Sequence, residues 1–130
     1  GGGKLTKTDS GWDAQVLGRN MVLSSKNKIL VNHSVRSLSP SHITGSLNRS
    51  NRLVDGGQLE VVHNLAKYTA IYSPHNLQWS ASCCYPVSGS IDITYSGSVT
   101  GTGNVTFNSC GYATVVKNGQ SHDVEFTYCE

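Results

Sequence analysis

The chain has 130 residues with a formal net charge of +2, and only 14% of its residues are charged, which suits one domain with a modest core and is too short for two. Lys and Arg are scattered without the interleaved aromatic residues of a nucleic-acid interface, so no nucleic-acid partner is predicted. No run of about 18 apolar residues occurs, so no membrane-spanning helix is predicted.

The beginning of the chain is polar and only weakly periodic. We interpret residues 1–28 as an N-terminal extension that precedes one β-domain over residues 29–130. Weak alternation around Leu5, Val16 and Val22 would suit a strand that is lent to a neighbouring molecule. The N-terminal glycine triplet is typical of a lead that follows a processing site, so we expect an exported precursor whose signal peptide was removed.

Short alternating segments separated by turn residues follow. The Asp-Gly-Gly at 55–57 predicts a hairpin, because consecutive glycines accept the positive φ of a tight turn. The Ser-Pro-His-Asn at 73–76 predicts another turn, since Pro fixes φ and Asn tolerates a left-handed conformation. Strands are predicted around these turns over residues 29–37, 43–53, 59–62, 65–72 and 77–81.

The last third of the chain shows the clearest strand pattern. Gly101 and Gly103 share one face, which predicts the close approach of another backbone or of an aromatic ring. Asn118-Gly119 predicts a hairpin between the last two strands. Strands are predicted over residues 87–95, 99–107, 113–116 and 121–128. In total, about eight or nine short strands predict an all-β fold, either an antiparallel sandwich or an open barrel.

All four cysteines lie in this last third, and we predict that they form two disulfides in an oxidising compartment. Cys83 and Cys84 are adjacent, and successive side chains on a strand point to opposite faces, so each is expected to reach a different partner. The partners are Cys110 and Cys129, in either pairing. A zinc site is not predicted, because the adjacent pair lacks the C-x₂-C spacing of structural zinc sites.

Residues for catalysis do not form a recognisable set. The five histidines are dispersed without an H-x-H or H-x-x-x-H pair, the eight acidic residues are scattered, and no G-x-S-x-G motif occurs. We therefore predict no catalytic residue, no cofactor and no metal ligand, and a protein that is not an enzyme.

Aromatic residues are the remaining candidates for binding. Tyr68, Tyr72 and Trp79 lie on predicted strands, where exposed Tyr and Trp can stack on sugar rings or anchor a protein interface. Tyr68 and Tyr72 share a strand face and are the first pair to consider. The alternative interpretation is that these aromatics fill the core of a small sandwich.

Two motifs lie in the segment from Leu47 to Glu130. The first is Cys-Cys-Tyr-Pro-Val-Ser-Gly at 83–89, and the second is Cys-Gly-Tyr-Ala-Thr at 110–114. With these elements the chain resembles a set of secreted bacterial envelope β-domains, many of them predicted lipoproteins. The resemblance implies an exported all-β domain with no transferable catalytic residue. It also implies a Cys83–Cys110 disulfide, the pair found in relatives with a single bridge, and thus Cys84–Cys129 as the second.

These observations favour a non-enzymatic module of the bacterial cell surface or periplasm, with a lipid anchor in the precursor as one arrangement. Our first hypothesis is a structural or assembly subunit that associates with itself or with other surface proteins and lends residues 1–28 as a strand. The alternative is an adhesin domain that binds a protein or a glycan through exposed aromatics.

Overall fold

The computed structural model describes residues 2–25, 28–46, 48 and 51–126, and these residues form strands and turns with no α-helix among them. The predicted all-β class is confirmed. More strands are present than the pattern predicts, mainly because the N-terminal segment forms three. The twelve strands are β1 (Gly3–Lys7), β2 (Trp12–Val16), β3 (Arg19–Ser25), β4 (Lys28–Ser39), β5 (Ser41–Gly45), β6 (Arg52–Asp55), β7 (Gln58–His63), β8 (Tyr68–Gln78), β9 (Ser88–Gly97), β10 (Gly101–Ser109), β11 (Tyr112–Lys117) and β12 (Gln120–Glu125).

The strands form one antiparallel sheet that does not close on itself. The main path runs β1-β2-β5-β6-β8-β9-β10-β11-β12, and a side branch, β3-β4-β7, joins it at β8. The central strand β8 therefore has β9 along one edge. Along its other edge it has first β7 and then β6.

The N-terminal segment, which the sequence pattern places in an extension, pairs with strands of the same chain. β1 and β2 form a hairpin, β2 continues onto β5, and β3 pairs with β4. The main-chain N–H of Val16 also donates to the hydroxyl oxygen of Ser37 over 2.8 Å, which joins β2 to β4. In this structure the segment is part of the sheet, and β1 is an outermost strand.

Residues on both sides of one line through the sheet line a single groove, which requires the sheet to bend along this line, here called the crease. Pro40 separates β4 from β5, Gly56 and Gly57 separate β6 from β7, and β8 passes the same level at Pro74. The N–H of Gly56 donates to the carbonyl oxygen of Pro74 over 3.0 Å. The backbone of Gly57 lies so close to Pro40 that a Cβ atom would not fit between them. These contacts join β4–β5, β6–β7 and β8 to one another at the bend.

Two predicted turns are wrong, and the crease explains both. The Asp-Gly-Gly at 55–57 does not make a hairpin, because β6 and β7 each pair with β8 and not with each other. Residues 73–76 continue β8, with Pro74 between the segments that pair with β7 and β6, so its missing N–H breaks no ladder bond there. Asn76, with a φ of 51°, lies in the bulge of β8 against β9. Here Pro74, Gly56 and Gly57 mark a bend within paired strands and not a reversal of the chain direction.

The core lies on one face of the sheet around β8, β9 and β11. Its buried apolar residues include Ala70, Ile93 and Ala113, with exposed fractions of 0%, 7% and 1%, and Leu77, at 6%. The segment between β8 and β9 covers the end of this face, where Tyr85 stacks on Phe126 with ring centroids 5.0 Å apart. The core is small, and this leaves the rest of the apolar face for the groove described below.

The covering segment is held by the Cys83–Cys110 disulfide, which confirms that predicted bridge; its Cα atoms are 5.9 Å apart. Cys83 is 2% exposed. Cys84 is disulfide-bonded as well, and its predicted partner, Cys129, lies outside the described residues.

The close approach predicted at the glycine-rich strand β10 is confirmed at Gly103. A Cβ atom on Gly103 would lie 3.2 Å from the carbonyl oxygen of Val116 and 3.4 Å from the ring of Tyr95. At Gly101 the side chain of Asn118 occupies the corresponding space. Glycine at these positions leaves room for the Tyr95 ring and the Asn118 side chain to pack against β10.

Candidate functional site

An open apolar groove of about 670 Å³ lies between the two halves of the bent sheet. Its volume falls within the range of roughly 300–1,000 Å³ that small-molecule sites occupy. The solvent-accessible surface of 8047 Å² exceeds the roughly 6,700 Å² expected for a compact protein of this mass, in keeping with an unfilled groove. The lining includes Leu5 and Val16 from β1 and β2, Val54 from β6, and Val61, Tyr72 and Ile91 from β7, β8 and β9.

Strand alternation explains why the groove is uncharged. Leu5 pairs with Ala14 and Gly3 pairs with Val16, so these residues share the face that lines the groove. Lys4 is the charged residue in the lining, and alternation directs its side chain to the opposite face of β1. The interior of the groove thus offers apolar contacts and the hydroxyl groups of a few wall residues.

Of the three aromatic residues predicted to bind a ligand, Tyr72 is the one that lines the groove. Burial raises the pKa of its phenol, and the neighbouring phenols of Tyr95 and Tyr68 raise it further. The Tyr72 hydroxyl therefore stays protonated at neutral pH and can donate a hydrogen bond to a ligand in an apolar setting.

Tyr68 lies on the same strand face as Tyr72, but neighbouring rings already contact it. His63 stacks on Tyr68 with centroids 4.1 Å apart, and Tyr95 lies at 6.3 Å. Nδ1 of His63 is 2.9 Å from Nε2 of His33 on β4. Burial and the neighbouring His33 lower the pKa of His63, which favours the neutral form of its ring between His33 and Tyr68. These ring contacts are part of the packing of the sheet.

Trp79 lies away from the other two aromatics, just beyond the end of β8. Its Nε1 donates to the carbonyl oxygen of Cys84 over 3.3 Å, and the guanidinium of Arg52 lies 4.3 Å from the ring centroid. A cation over the ring face occupies the surface that a sugar would need for stacking. The structure thus places Tyr68 and Tyr72 on one face of β8, four residues apart, and Trp79 in a separate cluster.

A row of polar side chains crosses the opposite face of the sheet. Nε2 of His75 lies 2.9 Å from Asp92, Asn104 donates to Asp92 over 2.8 Å, and Thr106 donates to Asn104 over 2.8 Å. The hydrogen bond from Asn104 is the main cause that lowers the pKa of the exposed Asp92 carboxyl. Spacing along single strands did not reveal this row, because its members come from three strands.

The outermost strands form a second candidate surface. β1 and β12 end the main path of the sheet, and β3 ends the side branch. All five residues of β1 are exposed, as are Asp123 and Glu125 on β12. Each outermost strand presents main-chain N–H and C=O groups along an edge that pairs with no other strand in the described part of the chain. Weak alternation in the N-terminal segment indicated a pairing strand there, whereas no sequence pattern indicated the edge on β12.

Among the described residues, no three His, Cys, Asp or Glu side chains are grouped as metal ligands. That part of the chain also holds no helix of the length and hydropathy that a membrane crossing requires. No protein-family model, no curated protein and no solved structure matches this chain.

Proposed function

We propose that this protein is a non-enzymatic structural or assembly subunit of the bacterial cell surface that associates through the edges of its sheet. The observation that carries the proposal is the open sheet, in which β1 and β12 each keep one edge that no other strand of the described residues pairs with. Soluble β-proteins usually protect such edges with proline, bulges or covering loops. Neither β1 nor β12 contains a proline or a register shift against its neighbour.

The exposed edge of β1 is suited to strand addition. The N–H of Leu17 donates to the carbonyl oxygen of Gly2, and the N–H of Thr8 donates to the carbonyl oxygen of Gly11. In an antiparallel ladder every second residue faces the partner strand, so the even-numbered residues of β1 bond to β2. The main-chain groups of Gly3, Leu5 and Lys7 therefore point outward, where a strand of another molecule can bind them.

This proposal predicts that oxidised protein forms oligomers or filaments, and that Leu5→Pro prevents them. Proline at this position removes an outward N–H and leaves the bonds from β1 to β2 in place. Light scattering and electron microscopy should show assemblies for the natural chain and a mass near 13.9 kDa for Leu5→Pro. Leu5→Ala, which keeps the N–H, is the control and should still assemble. A natural chain that stays monomeric at every concentration contradicts the proposal.

The second candidate function is a binding module, the adhesin of the sequence analysis, and the groove with Tyr72 in its wall favours it. An apolar, uncharged wall suits an apolar segment of a partner protein better than a glycan. Tyr72→Ala should weaken binding of an apolar fluorescent probe at least about tenfold, since a buried aromatic ring contributes several contacts. Tyr112→Ala, an exposed tyrosine at 51% exposure, is the matched control. Equal probe binding by the two variants rules out the groove as the site.

A further inference from the structure

We infer that the edge of β1 in one copy pairs with the edge of β12 in the next, so that copies add head to tail. This inference rests on the proposed function and names the partner, a second copy of this chain. It is carried by the charges of the two edges and by the directions of their main-chain groups.

The two edges carry opposite charges. β1 contains Lys4 and Lys7 and no acidic residue, whereas β12 contains Asp123 and Glu125 and no Lys or Arg. Like charges that face each other across a strand pair are destabilising, and opposite charges are stabilising. Pairing of β1 with β1, or of β12 with β12, is therefore disfavoured, and the mixed pair is favoured.

The hydrogen-bond pattern limits how the two edges can meet. The N–H of Phe126 donates to Gly111 over 2.7 Å, so even-numbered residues of β12 bond to β11. The outward main-chain groups on β12 then belong to Ser121, Asp123 and Glu125. Main-chain hydrogen bonds between the two edges form only where the N–H and C=O groups of both residues point outward. An odd-numbered residue of β1 therefore lies opposite an odd-numbered residue of β12.

An antiparallel register with both acids near Lys7 satisfies the bonding pattern and the charges together. It places Lys7 opposite Asp123 and Leu5 opposite Glu125, with Thr6 opposite Val124. Opposite residues share a face, so the Lys7 ammonium has Asp123 directly across and Glu125 at the diagonal position. Both acids already accept hydrogen bonds from β11, from Thr114 at 3.0 Å and from Tyr112 at 3.4 Å, which holds them at this edge.

Pairing of two different edges leaves one free edge at each end of the assembly. Each added copy presents a new β1 edge at one end and a new β12 edge at the other. Such heterologous contacts make open chains unless the rotation between copies closes a ring. The expected product is thus a chain of copies that grows with concentration, and not a fixed dimer.

Charge reversal on each edge tests this pairing. We expect the double variant K4E/K7E and the double variant D123K/E125K each to raise the half-assembly concentration about tenfold or more. An equimolar mixture of the two should assemble again, because each altered edge then meets an edge of opposite sign. Lys67→Glu, an exposed change in the turn before β8, is the control and should assemble as the natural chain does.

The outcomes separate this inference from the proposed function. If the natural chain assembles and the two double variants assemble equally well, the β1–β12 pairing is wrong and assembly uses another surface. If the variants fail to assemble and their mixture fails too, the charges act through folding or another contact, which also overturns the pairing. If the natural chain never assembles, both proposals fail. Circular dichroism of each variant verifies that the fold is retained.

Discussion

Replacement of both Cys83 and Cys110 by Ala is expected to lower the free energy of unfolding by about 3.5 kcal/mol. The bridge joins residues 27 positions apart, and a crosslink of that span removes much of the chain entropy of the unfolded state. The loss is large beside the 5–15 kcal/mol or so that stabilises a typical domain. Urea unfolding under oxidising conditions should show a midpoint lower by roughly 2 M.

The structure also predicts where this variant loosens first. The bridge fixes the segment that covers the end of the core, where Tyr85 stacks on Phe126. Near-ultraviolet dichroism from these rings should weaken before the far-ultraviolet strand signal does. Ser109→Ala, an exposed change beside Cys110, serves as the control. An unchanged urea midpoint in the double Ala variant would show that the other cross-link alone fixes this end of the sheet.

Gly89→Ala is expected to lower the free energy of unfolding by about 3 kcal/mol, through backbone strain and overlap together. Gly89 is the second residue of β9 and has a φ of 95°, a conformation that residues with a side chain rarely adopt. A Cβ atom there would overlap the carbonyl oxygen of Asn76 and lie 2.8 Å from that of His75. Either β9 or the bulge of β8 must then move.

Gly56→Ala separates the cost of backbone strain from the cost of overlap with neighbouring atoms. Gly56 also has a positive φ, of 72°, but a Cβ atom there would meet no heavy atom within 4 Å. It should lower the free energy of unfolding by only about 1–2 kcal/mol, the cost of the left-handed backbone alone. Thermal or urea unfolding of both variants checks the difference. If the two changes cost the same, the contact between Gly89 and β8 does not limit the fold.

Sequence reasoning succeeded where a local signal has one structural meaning. Asn118 and Gly119 both have positive φ, 49° and 84°, and they join β11 to β12 as the Asn-Gly pair predicts. Regular alternation in residues 87–95 likewise predicted β9, because one of its faces is buried and the other is not.

The same reasoning failed where burial or pairing is not visible in local sequence. β1 is exposed at every position, so it has no apolar period to detect. Pro74 and Gly57 are as typical of a bend within paired strands as of a turn, and the choice depends on partners distant in the chain. The groove depends on that bend, so Tyr72 could be selected from sequence, but the walls around it could not.

The crease has a consequence for the architecture of the groove. In a sandwich, two separate sheets are held apart by the side chains between them, and the gap narrows when those side chains shrink. Here β8 runs through the crease and contributes Tyr72 to one side of it and Leu77 to the other. Because the same strand supplies both walls, covalent bonds and backbone hydrogen bonds set the distance between them. The groove is therefore a property of the sheet's path.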